Sequence, residues 1–207
     1  MELIRKYFPD INSSQVEKFS QLKELYEDWN SKINVISRKN MDEFYCNHVL
    51  HSLAITRWYS FEKDERVLDI GTGGGFPGVP LAILFPQTSF TLVDSIRKKT
   101  TVLAGVKAAL ELDNITVLND RFENIKDQYD TVVSRAVAPA LKLVSFTKQA
   151  IKPKGTHIFL KGGDLAEEKK HLLAKHKNFR WYEFEIKNEF DEDFFETKKV
   201  ICLQKTT

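Results

Sequence analysis

The chain has 207 residues, of which 42% are hydrophobic and 15 are phenylalanine, with 31 basic against 29 acidic side chains. That length holds one α/β domain of about 150 residues plus an appendage, and that composition builds a core, which excludes wholesale disorder. A formal charge of +2 does not mark a general nucleic-acid binder, so only a local basic face would serve one. Cys46 and Cys202 match no zinc or redox spacing and read as buried apolar residues of a reducing compartment. Met1 to Lys6 has no apolar run behind it, and no stretch approaches the roughly 20 apolar residues of a membrane span, so a soluble cytoplasmic protein is expected.

Residues 1–62 read as helical, with no strand of their own. Ser14 with Glu17 forms a capping-box pattern, and Val16, Phe19, Leu22, Leu25, Tyr26 and Trp29 recur at three- and four-residue steps as one apolar stripe. Residues 32–40 read as a loop. Asn40 with Glu43 is a second expected cap, opening a helix that carries Phe44, His48, Leu50, Leu53 and Ile55. This segment is expected to pack, as an N-terminal helical extension, on a main domain of residues 63–207.

From residue 66 onward strands and helices alternate. Strands are expected at 66–70, 89–93, 115–118, 129–133 and 156–160, and helices at 78–85, 95–112, 140–151 and 164–177. Ser95 is the expected cap of the second helix, and the Pro153-Lys154-Gly155 stretch an expected turn. Two last strands, 180–186 and 197–203, read as antiparallel neighbours across an acidic loop. Alternating β and α implies an α/β fold, with a mostly parallel sheet of seven strands and helices on both faces.

In such sheets, ligands sit beyond the carboxyl ends of the strands. Asp69 to Phe76, Asp94-Ser95, Asp120 to Glu123, Ser134-Arg135 and Lys161-Gly162 should therefore share one crevice. The first group belongs to a strand that breaks into five glycines within the eight positions 71–78 before a helix begins. Strand, glycine turn, helix is the geometry that brings a backbone close to a nucleotide-like ligand. Asp94, about twenty residues on, stands where a carboxylate takes the hydroxyls of a ribose; the plainer reading is an Asp favoured by a helix start. Gly73-x-Gly75-x-x-Gly78 also matches the dinucleotide pattern, but Pro77 lies inside the match and Asp69 stands before the first glycine.

The form Asp69-x-Gly71-x-Gly73-x-Gly75 resembles the first motif of class I S-adenosylmethionine-dependent methyltransferases. Gly71 to Ala82, Phe90 to Ser95, Val132 to Pro139 and Leu160-Lys161-Gly162 resemble the RsmG (GidB) family, 16S rRNA guanine-N7 methyltransferases. Asn34 to Ser37 and His48-x-x-x-Ser52-Leu53 resemble its N-terminal signature. The likeness spans roughly residues 25–165. It implies a Rossmann-like class I methyltransferase fold, S-adenosyl-L-methionine as cofactor, and the small ribosomal subunit as partner of a monomer. It also implies cofactor contacts at Gly71, Phe76, Phe122, Glu123 and Arg135, to which the glycine turn and the acid after it add Gly73, Gly75 and Asp94. His51 stands where the family has Asp, and Asp120-Arg-Phe-Glu where it has Gly-Arg-Ala-Glu.

The chemistry so implied needs no general base, because guanine N7 offers a lone pair and has no proton to lose. It needs an in-line approach held at near-attack distance. No catalytic base or nucleophile is therefore assigned, and Arg135 is expected to position, by holding the cofactor's carboxylate or an RNA phosphate. Its plain alternative is an ion pair with Asp69 or Glu123. Phe76 reads equally as a platform for the target base or as a core residue. Arg97, Lys98 and Lys99 are the expected RNA grip, with Lys161 a further candidate or a solvated strand-end lysine. The histidines have no metal-ligand spacing, so no metal is assigned. Methyl transfer to another RNA, a protein or a small molecule stays open, as does an NAD-dependent oxidoreductase on the same sheet.

Overall fold

The computed structural model describes residues 1–206, and for Arg38 and Lys39 the main chain alone. The chain opens with α1 (Glu2–Tyr7), α2 (Ser13–Lys32) and α3 (Arg38–Asp42). A continuous helical run follows: a π turn over Tyr45–Leu50, α4 (His51–Leu53) and a 3₁₀ turn over Ala54–Arg57. The cap of α2 lies two residues before the expected Ser14: Asn12 Oδ1 accepts from Gln15 N at 2.9 Å, and Gln15 Oε1 accepts from Asn12 N at 3.0 Å. Gln15 Nε2 also reaches the carbonyls of Ile83 and Leu84, so the cap is chosen partly by a tertiary contact. Asn40 is not a cap, because it lies inside α3, whose N-cap is Ser37.

The strands are β1 (Arg66–Ile70), β2 (Ser89–Val93), β3 (Ile115–Leu118), β4 (Tyr129–Arg135), β5 (Ile151–Gly162), β6 (Phe179–Glu185) and β7 (Lys198–Lys205). They form one sheet in the order β3-β2-β1-β4-β5-β7-β6. The first five strands pair in parallel, and β7 runs antiparallel to both β5 and β6. Chain order reverses between β1 and β4, which opens the ligand crevice of an α/β sheet. Between the strands run α5 (Gly78–Leu84), α6 (Arg97–Ala109), α7 (Ala140–Phe146) and α8 (Ala166–Lys175).

Alternating side chains of the buried strands feed two cores, as the two-residue period requires. Val67, Phe90, Leu92 and Val133 face one side, where they meet Val79, Leu103 and Val106 of α5 and α6 and Phe19, Leu22, Tyr26, Phe44 and Leu53 of the N-terminal helices. Leu68, Ile70, Val93 and Val132 face the other, against Leu143, Val144 and Leu172 of α7 and α8. Residues 1–62 thus share one core with the sheet. Among the described residues no helix is long and apolar enough to cross a membrane.

Two expectations fail around β5. The helix expected to reach residue 151 ends at Phe146, and the strand starts at Ile151 rather than 156. Tyr129 pairs with Ile151 but Thr131 pairs with Thr156, so the expected turn at Pro153-Lys154-Gly155 is an irregularity inside a strand. Proline has no N–H for a ladder and is tolerated at such a bulge. The acidic stretch before β7 is held by α1: Lys6 Nζ lies 3.0 Å from Asp191 Oδ2, and Tyr7 Oη 3.0 Å from Glu192 Oε1.

Candidate active site

The turn after β1 is held from beneath by one carboxylate. Asp69 is fully buried, and its Oδ2 accepts from Thr72 Oγ1 at 2.6 Å and from Gly78 N at 2.9 Å. It thereby joins the middle of the glycine turn to the first residue of α5. Burial outweighs these two bonds and pushes the Asp69 carboxyl up to about 7. Among the described residues its Oδ1 has no hydrogen-bond partner. Gly71, Gly73 and Gly75 have φ of 63°, 61° and 93°. At Gly73 the nearest atom to an added Cβ is the Gly71 carbonyl at 3.9 Å, so the main chain there faces open space. At Gly71 an added Cβ would lie 2.7 Å from Val137 Cγ2, which places the loop after β4 directly over the turn.

Asp94 closes the same turn from the side. It is 6% exposed; Oδ2 accepts from Gly73 N at 3.0 Å, and Oδ1 accepts from Ile96 N at 2.9 Å. Lys99 Nζ lies 3.6 Å from Oδ2. α6 begins at Arg97 with Ile96, not the expected Ser95, as its N-cap, and no side chain caps it. Each Asp94 oxygen keeps a second lone pair for a further donor. Asn119 Nδ2 donates to the Asp94 carbonyl at 3.0 Å and so ties the end of β3 to this corner. Next to it, the 3₁₀ turn Phe122–Asn124 leaves Glu123 exposed, while the Phe122 ring packs 5.1 Å from that of Phe146.

Two exposed apolar side chains at these strand ends were not picked out from sequence: Ile96, 49% exposed, and Val137, 38% exposed. A signal is present at Ile96, a large aliphatic residue between Asp94-Ser95 and Arg97-Lys98-Lys99, whereas Val137 lies among Ala136, Ala138 and Pro139 and carries none.

Phe76 is a core residue rather than a base platform. It is 2% exposed, and its ring lies 5.2 Å from Tyr26, 5.9 Å from Phe44 and 4.8 Å from His48. Arg135 stands over the Phe76 ring, its Cζ 5.1 Å from the centroid. It pairs with neither Asp69 nor Glu123. Its Nη1 donates to the Asn47 carbonyl at 3.1 Å and its Nη2 to His48 Nδ1 at 2.9 Å. A guanidinium has only donors, so His48 Nδ1 must accept and the ring proton sits on Nε2. Burial, with Arg135 adjacent, pushes the His48 pKa down to about 3, and burial pushes Arg135 down to about 10. The end of β4 is thus fastened to the N-terminal helices, a link between distant residues that sequence reading did not reach.

The expected basic residues separate into two kinds. Arg97 and Lys98 are exposed at the start of α6, while Lys99 is drawn onto Asp94. Lys161 is neither solvated nor open: its side chain is 10% exposed, 2.8 Å from Glu168 Oε1, and donates to the Ala138 carbonyl at 2.5 Å. Arg135, Val137, Lys161, His51 and Lys198 line a cavity of about 360 Å³ between the ends of β4, β5 and β7.

The residues fit an adenosyl sulfonium ligand. Gly73 offers open main chain, Asp94 two acceptors for a diol, and Asp69 an unpartnered buried oxygen beneath the turn. Comparison with known proteins agrees. The family model GidB, rRNA small subunit methyltransferase G, matches residues 15–188. Proteins named Ribosomal RNA small subunit methyltransferase G are similar over almost the whole chain. The one from Christiangramia forsetii is 48% identical, covering 98% of this chain and 96% of its own. That from Flavobacterium psychrophilum is 50% identical, covering 97% and 96%, and that from Bacteroides thetaiotaomicron is 48% identical, covering 99% and 100%.

Among solved structures, a SAM-dependent methyltransferase from Aquifex aeolicus superposes with a TM-score of 0.61 at 15% identity, covering 83% of this chain and all of that one. A ribosomal protein L11 methylase from Lactobacillus delbrueckii superposes at 0.59 and 16%, covering 76% and 77%. At such identities the likeness establishes the fold, which is that of the class I S-adenosylmethionine-dependent methyltransferases. The family match and the near-complete relatives carry the remaining step: this chain belongs to the GidB family, the rRNA small subunit methyltransferases G.

Proposed function

We propose that the protein transfers a methyl group from S-adenosyl-L-methionine to N7 of a guanine in 16S rRNA of the small ribosomal subunit, acting as a cytoplasmic monomer. The observation that carries this reading is the glycine turn pinned between Asp69 and Asp94 in a chain of this family. Gly71, Gly73 and Gly75 present main chain to the cofactor, Asp94 takes its ribose hydroxyls, and Ile96 and Val137 cover its apolar faces. Phe122 and Glu123 close the adenine side. When bound, the cofactor supplies an electrophilic methyl on a positively charged sulfur. N7 needs no proton removed, so the chain's part is to orient and to exclude water. Arg135 acts on orientation by holding Asn47, His48 and the Phe76 ring in one place.

Residues 1–62 serve as an extension of the domain 63–207, and Arg97 and Lys98 meet RNA phosphates. In the A-form major groove N7 is too deep for side chains, so the target guanine lies in a loop or leaves its stack. The test is transfer of labelled methyl to small subunits, free 16S rRNA and protein extract. Label appearing as 7-methylguanine in 16S rRNA supports the reading; label in protein alone overturns it.

A further inference from the structure

The cavity between the ends of β4, β5 and β7 has about 360 Å³, the size of a small-molecule site. It shares a wall with the glycine turn, because Val137 both lines it and stands over Gly71. Three cations line it, and they are not equivalent. Arg135 is engaged by Asn47 and His48, and Lys161 by Glu168 and Ala138. Lys198 has, among the described residues, no carboxylate within ion-pair reach. Its Nζ lies 4.9 Å from the Phe194 ring centroid and faces Gly162, where an added Cβ would stand 3.8 Å away. The half-buried Lys198 is therefore a cation at the mouth of a cavity with nothing anionic to answer it. On the wall supplied by α4, His51 is 6% exposed and its Nε2 has no hydrogen-bond partner among the described residues.

We propose that this cavity receives the target nucleotide and that Lys198 Nζ grips its phosphate. This rests on the methyltransferase reading above. A phosphate is the favoured mate rather than the base. Methyl transfer moves positive charge onto the guanine ring, so an ammonium against the base edge would oppose the reaction, whereas at the phosphate it neutralises a charge that does not change. A lysine point charge on a flexible stem suits a phosphodiester oxygen.

The grip is read from the salt dependence of binding. Wild-type protein, Lys198→Gln and Lys198→Arg are titrated with small ribosomal subunits over a series of potassium chloride concentrations, with S-adenosylmethionine affinity measured alongside. Each phosphate contact contributes roughly 0.7–0.9 to the slope of log K against log[salt]. Lys198→Gln should lower the slope by about that amount and weaken binding by about threefold to tenfold near physiological salt. Lys198→Arg should restore both, and cofactor affinity should stay unchanged throughout. An unchanged slope in Lys198→Gln, or a lost slope that Arg does not restore, overturns the proposal. If wild-type protein methylates 16S rRNA while the Lys198→Gln slope equals its own, only the phosphate grip fails. If wild-type protein methylates no RNA, the underlying reading fails instead.

Discussion

The two rims of the crevice are built by opposite means. On the β1–β2 side, two carboxylates fasten a main-chain turn: Asp69 holds Thr72 and Gly78, and Asp94 holds Gly73 and Ile96. On the β4–β5 side, two cations fasten neighbouring elements: Arg135 holds Asn47 and His48, and Lys161 holds Glu168 and Ala138. The first rim leaves amides and open lone pairs facing a ligand. The second uses up two of its charges within the protein and leaves only Lys198 at the cavity. A conspicuous buried charge at a strand end is therefore no guide to what touches the ligand. On the reading proposed above, the main chain of one rim and the unengaged cation of the other take that role.

The largest effect that would sharpen the contrast concerns Asp69. Its carboxyl sits at about 7 in the folded protein against an ordinary 3.8. A raised carboxyl favours the protonated folded state. Its contribution to stability is complete below about 4 and is lost as pH climbs through about 7. At 1.36 kcal/mol per pKa unit the loss is at most about 4 kcal/mol. Asp69→Asn, which keeps an acceptor for Thr72 and Gly78, should lack this dependence. Denaturant unfolding from pH 4 to 8 should show the variant gaining on the wild type up to pH 7 and then holding its lead. Parallel curves would mean the carboxyl is not held unusually high.

Arg135→Ala comes next. It strands the Asn47 carbonyl and His48 Nδ1 in the interior, at a cost of about 3 kcal/mol for two bonds to a charged donor. Amide exchange should quicken over residues 44–52, in the helical run that Arg135 secures. Unchanged stability, cofactor affinity and methyl transfer together would remove its positioning role.

Gly73→Ala tests the other rim. A side chain at φ 61° costs about 1–2 kcal/mol, and nothing but the Gly71 carbonyl at 3.9 Å crowds it. On the proposed reading, the added methyl points into the space the cofactor fills. Calorimetry should show S-adenosylmethionine affinity falling by tenfold or more while the fold survives. Undiminished affinity would place the ligand elsewhere.

The same contrast explains what could be read from the sequence. The Asp69–Asp94 rim is assembled from residues 69–96, so its glycines, its acids and their order lie in one stretch of chain. The strands behind it, buried on both faces, read as continuous apolar runs. The other rim joins residues 47 and 48 to 135, and 161 to 168 and 198. No local pattern encodes such meetings, and so from sequence Phe76 reads equally as platform or core, and Lys161 equally as RNA contact or solvated strand-end lysine. The caps expected at Ser14 and Ser95 fail for a related reason. A contact from elsewhere, Gln15 with Ile83, favours Asn12 as the first cap, and Asp94 binds Gly73 and Ile96 so that α6 starts behind Ile96 with no side-chain cap. At residues 151–155 the proline marked an interruption that composition alone assigns to a turn, whereas pairing with β4 keeps it in the sheet.

The smallest effect lies within the second rim. Lys161 ties Glu168 Oε1, and that same oxygen accepts from Ala140 N at 2.5 Å, so the pair holds the start of α7 beneath the loop that carries Val137. The ion pair is mostly buried, with side chains 10% and 19% exposed. Lys161→Gln keeps a donor for the Ala138 carbonyl but removes the charge, and a loss of about 1 kcal/mol is expected in denaturant unfolding. Because this ammonium is already neutralised inside the protein, RNA binding by the variant should keep the wild-type salt slope, within the change that one phosphate contact makes. A slope lowered by a full contact would show that Lys161 leaves Glu168 when RNA arrives. The second rim would then be a set of charges held in reserve, and the distinction between its engaged and unengaged cations would collapse.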